Sequence, residues 1–105
     1  MICRLWRGWT TPDNADAYER IVRGEVIPGI EVRRIAGFRH IDLMKCHHGD
    51  EVEFQTLMWF DSLEAIIAFM GEDFSVSHVP AAARAVLKRF DDRAAHYEVI
   101  DRRDQ

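Results

Sequence analysis

The stretch from Glu53 to Phe60 carries Phe54, Leu57, Met58, Trp59 and Phe60. That is too apolar for a strand with one wet face, and it predicts a strand covered on both sides. Asp61 and Ser62 end the run. Either can cap a helix, and Glu64 lies three residues after Asp61, the spacing of a capping box. Leu63, Ile66, Ile67 and Met70 then recur at helical spacing with Phe69 beside them, and Gly71 supplies a stop. The pattern predicts a helix over 62–70.

Upstream, Ile2 to Trp9 reads as the first strand. Ile2, Arg4, Trp6 and Gly8 share one face, and Cys3, Leu5, Arg7 and Trp9 the other. Apolar residues on both faces predict that both are covered. Thr11 and Pro12 signal a helix start, and Tyr18, Ile21, Val22 and Val26 mark its apolar face. Pro28-Gly29 predicts its end, giving a helix over 12–28. Ala36 to Cys46 alternates as a strand, with Phe38, His40, Asp42 and Met44 on one face. His47 to Asp50 reads as a hairpin loop, and Val52 to Phe60 as the antiparallel return. Glu72 to Asp92 is irregular, with a short helix after Pro80. Ala95 to Asp101 reads as the last strand, before a polar tail.

This order predicts an α+β fold: a ferredoxin-like βαββαβ domain with an antiparallel four-stranded sheet and an insertion before the last strand. Helices on one face of such a sheet leave the other bare. A two-fold homodimer that buries the bare faces is the economical solution.

The totals narrow the function classes. A chain of 105 residues, 48% apolar, is a single domain spanning 1–105. A net charge of −4 with scattered arginines gives no track for nucleic acid. Cys3 and Cys46 fall in separate strands without a CxxC motif, and no signal peptide is evident. The expectation is a cytoplasmic protein with free thiols. No apolar run is long enough to span a membrane. Nucleotide-loop, nucleophile-elbow and zincin signatures are absent.

The run WFDSLEAIIAFMGEDF resembles the strand-to-helix passage of the antibiotic biosynthesis monooxygenase family, small dimeric α+β barrels. The opening ICRLWRGWTTPDNADAY and the closing HYEVI are similar to one branch of that family. The resemblance implies a dimeric barrel, in which the second sheet belongs to the partner subunit. It also implies cofactor-independent oxidation of a small aromatic or polycyclic phenol, without metal or flavin. In heme-degrading members of the superfamily, a phenylalanine and a histidine follow the second helix at the spacing of Phe74 and His78. By that likeness His78 would be a heme ligand.

Several residues carry candidate chemistry. His78, just past the second helix, and His40, mid-strand among apolar neighbours, are candidate bases; both also fit ordinary structural roles. Arg4 and Arg7 lie on opposite faces of a strand with little polar surface. A buried arginine needs a carboxylate or an anionic ligand. Glu53, Asp42 and Glu98 are candidate partners; an enolate or phenolate is the alternative. Trp6, Trp59, Phe69 and Phe74 are candidate pocket walls, or core. Cys46, His47, His48 and Asp50 are metal-ligating types, but their spacing matches no standard site and strand alternation separates Cys46 from His47. A hairpin tip is the simpler reading, and no metal is expected. Three functions follow: a cofactor-free monooxygenase, a non-enzymatic ligand-binding or interaction protein on the same fold, and a heme-binding variant through His78.

Overall fold

The computed structural model describes residues 1–105. The chain is α+β. Strand β1 (Ile2–Thr10) leads through a 3-10 turn (Pro12–Asn14) into α1 (Ala15–Ile21), a π turn (Val22–Val26) and α2 (Ile27–Glu31). Then come β2 (Phe38–His48), β3 (Glu51–Phe60), α3 (Leu63–Met70), α4 (Ala81–Arg84), β4 (Arg89–Phe90) and β5 (Ala95–Glu98). No helix is long and apolar enough to cross a membrane.

All the strand pairings are antiparallel, in the order β2-β3-β1, with β4 and β5 both on the far edge of β1. This is compatible with a ferredoxin-like fold, though with five strands where the sequence pattern predicts four. The last strand position is split. Phe90 faces Gly8 and Ala95 faces Leu5, and between them the chain leaves the sheet. There it pairs with residues 75–77: Ser77 N donates to Asp92 O at 3.0 Å and Ala94 N to Ser75 O at 2.7 Å.

The first helical segment runs past its predicted end at Pro28. A π turn directly precedes α2, and Pro28 occupies the first turn of that helix. The wider turn carries the chain past a residue with no N–H to give. The second helix starts one residue later than a capping box on Asp61 would place it. Ser62 is the cap, its hydroxyl accepting from Ala65 N at 3.3 Å, and Asp61 pairs with Arg39 instead. Gly71 ends the helix with a φ of 93°. Strands β2 and β3 run on through His47 and His48, so the hairpin loop is only Gly49-Asp50, with positive φ at Gly49 alone. That is the pattern of a type II′ turn.

A bulge in β2 changes which residues face the helices. Phe38 pairs with Phe60 and His40 with Trp59, so Arg39 is the extra residue. Phe38 therefore joins Ile41 on the helix side, whereas simple alternation would place it with His40. Two apolar clusters fill the helix side. One gathers Tyr18, Val22, Phe54 and Ala83; the other Ile30, Met58, Phe60, Ile66 and Phe69.

Candidate functional site

Between these two clusters lies a cavity of about 60 Å³. Its floor is the helix face of the sheet: Arg4 and Trp6 from β1, Ile41 from β2, Thr56 and Met58 from β3. Its roof is Tyr18 of α1, the π turn and α2. Phe69 closes one end, and the irregular wall from His78 to Pro80 closes the side. The π turn matters here. By inserting a residue it brings Val22, Val26, Ile27 and Ile30 onto the same lining as Tyr18.

Arg4 is the exceptional residue of this lining. It is only 4% exposed, yet it has no carboxylate partner. Its guanidinium donates to Phe74 O and, at 3.0 Å, to Val76 O. A third donor reaches His96 Nε2 at 3.0 Å. Because arginine only donates, His96 accepts there and carries its proton on Nδ1. Burial pushes the Arg4 pKa down to about 10. The geometry of the segment explains the carbonyls: Phe74 and Val76 turn one side toward Arg4, while Ser75 and Ser77 bond the edge at Asp92 and Ala94. Trp6 adds another tie, its indole N–H shared between Ser77 Oγ at 3.0 Å and Asp91 O at 2.8 Å.

His78 lines the cavity but is exposed on its outer side, so it stands where the wall meets solvent. Its ring meets Phe69 edge-on, centroids 6.2 Å apart. Partial burial lowers its pKa first, and the positive charges of Arg33 and Arg4 lower it further. It is therefore neutral at pH 7, the form that accepts a proton. Arg33 stacks 4.8 Å from the Phe69 ring and donates to Phe69 O at 3.0 Å. The backbone groups of His78 and Val79 make no backbone hydrogen bond, so this piece of wall is the least tethered.

Of the residues singled out in the sequence, Arg4, Trp6, Phe69 and His78 are brought together. Phe74 stands behind the wall, offering its carbonyl to Arg4 and its ring to His96, 5.1 Å away. Arg7, His40 and Trp59 are not in the site. They lie on the opposite face of the sheet: Arg7 is odd in β1, and His40, one residue before the inward Ile41, faces outward beside Trp59. Arg7 pairs with Asp91 at 2.9 Å, and not with Glu53, Asp42 or Glu98. His40 is half exposed, stacked 5.3 Å from Trp59 and 3.7 Å from Asp42. Cys46 and His48 share that outer face, where His48 pairs with Glu53 at 2.8 Å. Tyr18 and His96 are functional candidates that residue type alone did not single out. The signal for Tyr18 was its place on the apolar helix stripe; for His96 there was none.

The bare face itself is mixed. Leu5, Leu57, Trp59 and Tyr97 form its centre, and Cys3 is buried between Trp59 and Tyr97. Arg102 of the tail lies 5.2 Å over the Trp59 ring. Arg7 and Arg89 flank Trp9 at 5.2 and 3.9 Å, which is why that tryptophan is buried on an open face.

No known family model matches this chain, and no curated protein matches it. Heme is testable on the geometry. A cavity of about 60 Å³ is far below the roughly 300–1,000 Å³ of cofactor-sized sites. His78 opens onto this cavity from its mouth, beside the ring of Phe69. In its closed form the lining does not fit heme.

Proposed function

We propose that the cavity removes a proton from a small, flat, mostly apolar ligand and holds the resulting anion, as in cofactor-independent oxygenases of the antibiotic biosynthesis monooxygenase type. The observation that carries this reading is Arg4: a buried guanidinium without a carboxylate, in an otherwise apolar lining. An unpaired buried charge is costly, and an anionic ligand is what would compensate it. His78, neutral at the mouth, takes the proton and can return it to water through its exposed side. Arg4 stabilises the enolate or phenolate oxygen. The anion then reduces oxygen, and for a CH₂ group the balance is R₂CH₂ + O₂ → R₂C=O + H₂O. A ligand larger than about two waters requires the tether-poor wall at His78 and Val79 to move outward.

The same reading includes a homodimer through the bare face. Met44 and Tyr97 are 46% and 57% exposed there, next to Leu57 and Trp59, and a second copy of the chain would bury them.

The test is oxygen uptake with anthrone by the parent, His78→Ala and Arg4→Met. Both variants are expected to lose turnover, His78→Ala with little change in affinity. Equal rates in all three would sink the assigned roles. Tight binding of anthrone without oxygen uptake would favour the second reading, a non-enzymatic ligand-binding protein.

A further inference from the structure

Arg4 uses only part of its hydrogen-bonding capacity. A guanidinium has five N–H groups. Two on Nη1 go to Phe74 O and His96 Nε2, and one on Nη2 goes to Val76 O. The Nε–H and the second Nη2 N–H have no partner within the chain. Thr10 Oγ1 is the one partnerless side-chain polar atom that protein atoms seal off completely. Arg4 Nε is therefore not sealed, and Arg4 lines the cavity. Buried donors are nearly always paired, so one left open toward a cavity calls for a partner.

The lining narrows what that partner is. It holds no carboxylate, and the hydroxyl of Tyr18 and the ring of His78 are likewise without a hydrogen bond in the chain. Thr56 faces Trp6 across β1 and β3, so it stands diagonal to Arg4 on the same face, within reach of a long side chain. Water would satisfy the spare N–H groups but leave the charge uncompensated; an anion would do both. The closed space, about 60 Å³ or about two waters, limits that anion to a few heavy atoms. Donors in the guanidinium plane match the oxygens of a planar oxyanion. A tetrahedral dianion is larger and costs more to desolvate.

We propose that the closed cavity binds a small, planar, singly charged oxyanion of the formate, nitrate or bicarbonate class. The free N–H groups of Arg4 hold it, and the Thr56 hydroxyl is its further donor. This does not rest on the proton-abstraction reading: it concerns the cavity as it stands closed, and a larger ligand that takes Arg4 would displace the ion.

The test titrates carbon-13-labelled formate against the full chain at pH 7.5, with ionic strength held constant by sodium sulfate. It follows the width of the formate signal and the Nε–H resonance of Arg4. Saturable broadening, a matching shift of the Nε–H and reversal of both by nitrate are expected, with a Kd of about 1–10 mM. Arg4→Met is expected to weaken formate binding about tenfold or more, and Thr56→Val about threefold. Parent affinity in Arg4→Met overturns the site, and parent affinity in Thr56→Val overturns its placement. An unmoved Nε–H in the parent, which needs no variant to fold, also overturns it and leaves the cavity to water. Formate binding by a parent that takes up no oxygen with anthrone supports this site and sinks the earlier reading. Oxygen uptake without formate binding does the reverse.

Discussion

Replacing Arg4 by methionine isolates the charge from the volume of that side chain. Two effects oppose each other. Holding the guanidinium charged in its buried position lowers its pKa from 12.5 to about 10. At roughly 1.4 kcal/mol per unit, that is a cost of about 3 kcal/mol at neutral pH, which methionine does not incur. Against this, Phe74 O, Val76 O and His96 lose their donor. A buried acceptor left unpaired costs about 1–3 kcal/mol. Val76 is exposed, so its carbonyl can find water and sits at the low end of that range. Phe74 and His96 are only half-buried, which holds the loss at each to about 1–2 kcal/mol, so the three together come to about 3–5 kcal/mol. The expected net change is a destabilisation of about 0–2 kcal/mol, read from urea unfolding at pH 7.5 with an unchanged denaturant slope. Removing one partner of a buried ion pair would instead cost about 3–5 kcal/mol. A loss above about 3 kcal/mol would refute the idea that Arg4 stands without a compensating anion. In the oxygen-uptake assay the same variant should lose about 2–4 kcal/mol of transition-state stabilisation.

Other expectations are equally concrete. Burial lowers the pKa of His96 first, and Arg4 lowers it further; His78 is likewise depressed. Between the ordinary value of 6.5 and their lower folded values, the unfolded chain binds the extra protons. Stability from these groups is thus present above pH 6.5 and falls as the pH drops through that window. Urea unfolding at pH 7.5 and 5.5 should show a larger loss in the parent than in His96→Gln; an equal loss would remove His96 from the account. A Cβ on Gly8 would meet Trp6 Cη2 at 2.8 Å and Leu87 Cδ2 at 3.0 Å. Gly8→Ala should therefore cost about 1–3 kcal/mol and shift the emission of the displaced Trp6; unchanged stability and spectrum would contradict this packing. Sedimentation should find a dimer at micromolar concentration, and Tyr97→Glu should weaken it. A monomeric parent would exclude pairing through the bare face.

The elements were legible where periodicity and caps agree, as in Leu63 to Met70 behind Ser62 and ahead of Gly71. They were misread where one residue changes the phase. Pro28 looks like a stop because a regular helix cannot hold it, and no local pattern announces a π turn. Arg39 is an ordinary strand residue by composition, yet as the bulge residue it parts Phe38 from His40, turning Phe38 to the helices while His40 stays on the outer face. The same blindness governs the candidate site. Arg4 was recognisable as an arginine on an apolar strand face, and His78 as a histidine after the second helix. Nothing local says that the carbonyls of Phe74 and Val76, not a carboxylate, receive Arg4. That outcome depends on how residues 72–96 fold back over β1. Tyr18 sits on the helix stripe like any core residue, and only the missing partner for its hydroxyl sets it apart.

The Arg4 clamp also fixes when the site can exist. Its hydrogen bonds join residues 70, 72 and 92 positions apart in sequence. The hairpin of β2 and β3 closes through two residues and can form early; the clamp closes loops nearly as long as the chain, which is entropically the slow kind of contact. On a ribosome, β1 and α1 emerge first, but the cavity has no side wall until His78 has followed, and the Arg4 clamp is incomplete until His96 has. A chain still being synthesised therefore has most of its sheet and no site. Competence to bind appears late and all at once, when the last third of the polypeptide docks on the first strand.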